Sequence, residues 1–307
     1  MMPSFNVRVI LRAALLSLFL AGLAFPASGQ NTFEETIEKI TSDNVRGYIQ
    51  PMLDGYGANM NSGLSGSARI SRMGVTFRLQ FLGMGTLIGD AEKNYLATPP
   101  EPFAQEPVET ATIFGGDGSV ATHPAGVQYR FQSGFIDAPA LFFFVPQLTV
   151  GNIFGTQMTI RYAPVPEIGD FPEVNLFGIG IRHGINQYLP PLPVDFAAGV
   201  FYQTLAIGDI IDSKAVAFTA QASRTFLVLT LYGGLQYETT DINLSYYYTG
   251  PLPPGDESDR QISIDFKGEN KFRATAGLSL ALGIMHLNAD ISVGKVTVIS
   301  AGLGFGI

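Results

Sequence analysis

The chain has 307 residues, a formal net charge of −8, 46% hydrophobic and 14% charged residues, and neither cysteine nor tryptophan. The acidic balance argues against nucleic acid and against docking on anionic lipid through a basic patch. The lack of cysteine excludes a disulfide framework, a thiolate metal site and a cysteine nucleophile.

The N-terminus reads as a secretory signal. Arg8 and Arg12 give a basic start, Ala13 to Phe25 is an apolar run, and Ala27-Ser28-Gly29 is a small-residue cleavage site. The expected organisation is a signal peptide over 1–29, a helix and glycine-rich lead-in over 30–62 that is a possible plug, and a barrel over 63–307. Removing Arg8 and Arg12 takes the basic count from 18 to 16 against 26 acids, so the mature chain carries −10. The remaining apolar residues form no stretch long enough for a membrane helix, which needs roughly 20 residues. They must therefore lie in strands, and a membrane admits strands only as a closed barrel.

Thr32 to Asn44 reads as a short amphipathic helix, with Phe33, Ile37 and Ile40 on one stripe. Tyr48 to Asn59 is glycine-rich without a clear period, and is expected to plug the barrel or cap it on the periplasmic side. Val75 to Phe81 alternates as a strand with Arg78 on its polar face. Asp90 to Gly126, rich in Pro, Gly and acids, is expected as an extracellular loop or an inward constriction. Strands are then expected near 127–132, 141–151, 155–163, 173–183, 193–206, 214–224, 226–238, 240–249, 260–267, 271–284, 286–293 and 296–306. Asp256, Glu257 and Asp259 mark an outer loop, and Gly294-Lys295 suits a periplasmic hairpin. The clearest strand is Phe272 to Ile284, where even positions are Phe, Ala, Leu or Ile and odd ones Arg, Thr, Gly, Ser or Ala. That period of two puts one face toward lipid and a small-residue face toward a lumen. The chain ends on an amphipathic segment with Ile299, Leu303, Phe305 and Ile307 on one face.

The expected fold is all-β: a single closed antiparallel transmembrane barrel of about 12–14 strands with a short N-terminal helix, in the outer membrane of a Gram-negative bacterium. A soluble, secreted or periplasmic all-β protein is the alternative.

Tyr48-Ile49-Gln50-Pro51, Leu64-Ser65-Gly66-Ser67-Ala68, Arg161-Tyr162-Ala163-Pro164, and Gly178 to His183 running into Tyr188-Leu189-Pro190 give the chain a wider likeness. With the signal and the amphipathic end, it resembles outer-membrane barrels of the long-chain fatty acid transporter type, and more closely the barrels of that shape in Bacteroidota. The resemblance implies transport of a hydrophobic molecule. The Asn-Pro-Ala hatch motif of those transporters has no counterpart; Gly57-Ala58-Asn59-Met60-Asn61 lacks the proline.

No catalytic pattern is found, so an enzyme is not expected. His123, His183 and His286 stand alone, without metal-ligand spacing, and no Gly-x-Ser-x-Gly elbow or phosphate loop occurs. No cofactor or metal is expected. By strand phase, Arg78, Arg161, Arg182, Arg273, Asp195, Glu238, Asp265 and Asp290 face the lumen. Opposite charges there either pair to fill the barrel or select a solute. Leu141, Phe143, Phe201, Leu205 and Tyr232 also face inward, as a contact for a plug or a pocket for a greasy ligand. Two functions are open. One is a barrel, partnered by outer-membrane lipid, that binds or passes a hydrophobic or amphipathic small molecule. The other is a structural or surface-interaction barrel with a packed lumen and no transport.

Overall fold

The structure, a computed structural model, describes Ile40 and residues 42–167, 172–247 and 261–307. The signal region, nearly all of the helix expected over 32–44 and the acidic tip Asp256–Asp259 lie outside the described residues.

Among the described residues an α-helix, α1 (Ser42–Met60), comes first. The strands follow as β1 (Thr76–Leu87), β2 (Asn94–Ala97), β3 (Val108–Ala111), β4 (Val120–Thr122), β5 (Gln128–Arg130), β6 (Ala140–Ile153), β7 (Thr156–Val165) and β8 (Val174–Gly184). They continue as β9 (Asp195–Ile207), β10 (Ile211–Phe226), β11 (Leu229–Tyr247), β12 (Gln261–Lys267), β13 (Phe272–Leu282), β14 (Met285–Val293) and β15 (Thr297–Gly306). Ten of these, β1, β6 to β11 and β13 to β15, pair antiparallel around a ring. Pairing of β1 with β15, from Arg78 opposite Gly306 to Thr86 opposite Val298, closes it. Closure leaves no edge for water or a second chain to pair with.

The wall thus has ten strands, not 12–14. Residues 128–130 pair with β4 in a small ribbon outside the wall. The segments expected as separate strands at 226–238 and 240–249 are one strand of 19 residues, β11. β12 pairs only with the far part of β11, Asp241 opposite Lys267 to Tyr247 opposite Gln261. It continues into β13 through a bulge at Gly268–Lys271, so the two are one interrupted wall element.

Alternation holds around the ring. On β10, Ser213, Ala215, Ala217, Thr219, Gln221 and Ser223 are buried while Phe218 between them is exposed. Every wall strand presents large apolar side chains outward, among them Phe81, Phe142, Met158, Ile179, Val200, Phe218, Leu231, Leu278, Ile291 and Leu303. A belt of this size is far beyond what a water-soluble monomer exposes, and suits hydrocarbon.

The strand directions separate two ends. The connections that follow β1, β7, β9 and β14 lie at one, the loop end. The tight turns after β6, β10 and β13 lie at the other, the turn end, with Ile307 and the lead-in to β1. At these turns Gly155 and Gly283 take φ of +73° and +65°, which a glycine adopts without strain. The Gly294–Lys295 turn shares the loop end with the 88–139 loop, so the two do not face opposite sides as expected; nine residues of β14 return the chain to that end. The 88–139 loop folds as two short ribbons, β2–β3 and β4–β5. It lies over the loop end, with Ile113 and Phe114 buried against α1.

α1 is 19 residues long, or about 28 Å at 1.5 Å per residue. Val45, Tyr48, Ile49, Met52, Leu53 and Tyr56, spaced i, i+3, i+4, i+7, i+8 and i+11, are buried in one cluster with the wall residues Met84, Leu141, Phe143, Leu205 and Ile242. The helix therefore stands inside the barrel. Its glycines let it fit: a Cβ on Gly47 would meet the Tyr95 ring at 2.1 Å, and one on Gly57 would meet Thr240 at 2.9 Å. The region read as glycine-rich and aperiodic is this helix, and it enters the barrel from the loop end rather than the turn end, because Asn44 bonds Thr98 and Tyr48 bonds Ser133 of the loop.

Candidate functional site

The lumen is the site, and the N-terminal segment fills its upper part. A helix ends with carbonyls that have no partner of their own, and burying them here requires donors from the wall. Arg161 on β7 gives Nη1 to the Met60 carbonyl at 2.9 Å and Nη2 to the Ser62 carbonyl at 2.8 Å. Its Nε donates to Gln147 Oε1 at 2.9 Å and its Nη1 also to Gln203 Oε1 at 3.0 Å. Arg273 on β13 gives Nη2 to the Ala58 carbonyl at 3.0 Å and Nη1 to the Ser62 hydroxyl. Gln203 donates to the Met60 carbonyl at 2.7 Å and Gln236 to the Asn61 carbonyl at 2.9 Å. Two cations at the helix C-terminus also oppose its dipole favourably. Below this clamp the chain runs on through the lumen, with the Gly66 amide on Gln221 Oε1 at 3.1 Å and the Ala68 amide on the Ser223 hydroxyl at 2.9 Å.

The lumen charges were expected either to pair or to select a solute; of the four arginines, among the described residues only Arg273 pairs with an acid. Its Nη2 lies 2.6 Å from Glu238 Oε1, with both side chains almost wholly buried. Glu238 also accepts from Asn270 at 2.6 Å and from Gln236. Arg161 is buried among amides and carbonyls. Asp290 accepts from the Tyr232 hydroxyl at 2.9 Å. Asp195 sits half-buried, in the inward phase of β9, at the turn end. Asp265 is a correction: it is exposed, bonded to Asn243. The bulge at Gly268–Lys271 changes the phase between β13 and β12, so Phe266 takes the inward position instead.

Leu141, Phe143, Phe201, Leu205 and Tyr232 are all buried. Leu141, Phe143 and Leu205 pack in the cluster that holds α1, and Phe201 packs on Leu64 of the lead-in. At the loop end a second tie holds the plug. Asp54 on α1 accepts from Lys295 Nζ at 2.9 Å, Gln50 at 2.9 Å and the Glu269 amide at 2.8 Å. Burial alone would lower the Lys295 pKa, but its hydrogen bonds and charge attraction to Glu269 and Asp54 raise it above the ordinary lysine value. In the loop, burial, with Tyr129 adding to it, pushes the Tyr95 phenol up to about 12.

A plug was expected over residues 30–62, but the role of Gln147, Gln203 and Gln236 in holding it escaped sequence reasoning. Their signal was present: each glutamine stands in the inward phase of its strand. His286 shares the inward phase of Asp290 on β14 and borders a cavity in the turn half of the lumen. Arg78 and Arg182 border the same cavity. At the loop end, a cleft of about 1030 Å³ between α1 and β10–β12 mixes Arg46, Lys214 and Lys267 with Asp212, Asp241 and Glu269. No described group of residues has the makings of a metal site.

A family model described as a family of unknown function (DUF6588) matches residues 8–307. No curated protein matches the chain. Its structural neighbours are outer-membrane β-barrels. Ail, the attachment invasion locus protein of Yersinia pestis, aligns at 9% identity over 76% of this chain and 95% of its own, with a TM-score of 0.27. The toluene transporter TbuX of Ralstonia pickettii aligns at 10% identity over 92% of this chain and 99% of its own, with a TM-score of 0.22. A deltaS2S3 mutant of the monoaromatic hydrocarbon channel TodX aligns at 8% identity over 76% of this chain and 90% of its own, with a TM-score of 0.23.

Proposed function

We propose that this chain, which belongs to the DUF6588 family of unknown function, is an outer-membrane barrel sealed by its own N-terminal segment, acting as a structural or surface-interaction protein rather than an open pore. The observation that carries this reading is the double arginine clamp. Arg161 and Arg273 hold the backbone of residues 58–62 across the lumen, and α1 fills the space above it. The outward apolar belt supports residence in a bilayer, with membrane lipid as its partner. In such barrels short turns face the periplasm and longer loops the outside, which puts the 88–139 loop on the cell surface. Reconstitution in planar bilayers tests the proposal: the intact protein conducts no steady ion current. A stable open conductance in the intact protein contradicts it.

A second reading is passage of a hydrophobic or amphipathic small molecule, as the likeness to fatty acid transporters suggests. It draws support from Leu141, Phe143 and Leu205, which would line an apolar lumen once α1 withdrew. Uptake of a fluorescent fatty acid by cells expressing the protein, lost on locking the plug in place, would favour this second reading.

A further inference from the structure

Below the clamp the lumen is not filled. A cavity of about 220 Å³ lies between the lead-in residues Gly63–Arg69 and the inner faces of β1, β6, β7, β8 and β14. Its lining holds three arginines, Arg69, Arg78 and Arg182, together with His286 and the amides of Gln80, Gln147, Gln157, Asn152 and Asn288. Among the described residues no aspartate or glutamate lines it. The inward acid of β14, Asp290, lies outside the lining and is held by Tyr232.

The arginines are short of partners. Arg182 spends Nη2 on Gln157 Oε1 at 2.8 Å, but its buried Nη1 has no partner. Arg78 Nε is likewise buried and unpartnered, as is His286 Nε2. Arg78 and Arg182 both line the cavity, so two like charges share it with no acid in its lining. Guanidinium groups are not left this way without cause. A buried donor with no acceptor is costly, and two cations sharing a cavity repel. Arg161, a few residues nearer the loop end, shows the alternative, with all three of its nitrogens used on the plug backbone and on Gln147 and Gln203. A bound anion removes both penalties together, and the planar guanidinium fork matches carboxylate and phosphate oxygens.

We propose that this cavity is a binding site for a small oxyanion, a carboxylate or phosphate, that enters from the turn end past the exposed Arg69. The site does not depend on the barrel being sealed, because it is read from the cavity alone. Its test is a binding measurement, not a conductance.

The experiment uses the full-length protein in detergent micelles at pH 7, titrated calorimetrically with inorganic phosphate and separately with acetate, at constant ionic strength set by chloride. Saturable binding of one anion per barrel, not matched by chloride, is expected. Preference for phosphate or for acetate assigns the class. Arg78→Gln is the deciding variant, since Arg78 makes no side-chain hydrogen bond among the described residues and its loss leaves the wall intact. It should weaken binding by about tenfold or more, the range of one charge-assisted hydrogen bond. Arg78→Lys, which keeps the charge but loses the fork, should fall between. No saturable binding of either anion overturns the proposal, and so does equal affinity in Arg78→Gln.

Discussion

Arg273→Met tests the clamp where its energetics are sharpest. The substitution removes a guanidinium that is 2% exposed and leaves Glu238, 1% exposed, without its counter-ion. Asn270 and Gln236 still donate to the carboxylate, but neither neutralises it. Breaking a buried pair from one side costs about 3–5 kcal/mol. Water entering the lumen relieves that cost, so it counts against the docked plug rather than against the wall. At 1.4 kcal/mol per tenfold, the docked-to-open ratio should fall by roughly 10²–10³ or more. The Ala58 carbonyl keeps the Ser62 hydroxyl at 2.7 Å, so its own loss is small. Single-channel recording should show open events in Arg273→Met that the parent lacks. Adding Glu238→Gln removes the stranded charge and should recover more than half of the loss. If Arg273→Met stays closed, or if the double variant opens further than the single, the buried pair is not what holds the plug.

Two other outcomes follow from the same geometry. Ile179, 40% exposed at the middle of β8, should tolerate no charge: Ile179→Arg should lose about 2–4 kcal/mol in lipid, read by urea unfolding in vesicles, and an unchanged midpoint would remove the membrane belt. At high pH the loop end should loosen. Tyr95 and Lys295 both have pKa values raised by folding. Their contribution is therefore complete below the unfolded values near 10 and lost as pH rises through the folded ones. Protease cleavage within 88–139 should increase between about pH 10 and 12, and constant resistance across that window would contradict the assignment.

Much of the wall was legible because a strand in a barrel has little freedom: one face meets lipid, the other the lumen, and the pattern repeats every two residues. Phe272 to Leu282 shows this plainly, with Arg273 and Thr275 inward and Phe272 and Leu278 outward. Strand number was harder, since no turn residue separates residues 238 and 240 and alternation cannot say whether a strand stops or runs above the rim. Phase failed at Asp265 for a local reason, the bulge before β13. The helix was hidden by Pro51 and three glycines, Gly47, Gly55 and Gly57, which lower helix propensity in water. In the lumen those same glycines allow close contact, and tertiary packing overrides propensity. Arg78, Arg182 and His286 were visible one at a time; that they share one cavity depends on shear between strands, which parity does not encode.

The central claim is that residues 42–62 stand inside the barrel, and one crosslink tests it most directly. A Cβ on Gly55 of the helix lies 3.8 Å from Thr86 Cβ on the wall, the mean separation in disulfides, about 3.8 Å. The chain has no cysteine of its own, so the pair Gly55→Cys and Thr86→Cys reports alone. In isolated outer membranes under mild oxidation the pair should close nearly completely, shown by a reducible change in gel mobility, while a control pair of Gly55→Cys with the outward-facing Phe81→Cys stays open. Free thiols at both positions in assembled protein would contradict the plugged lumen.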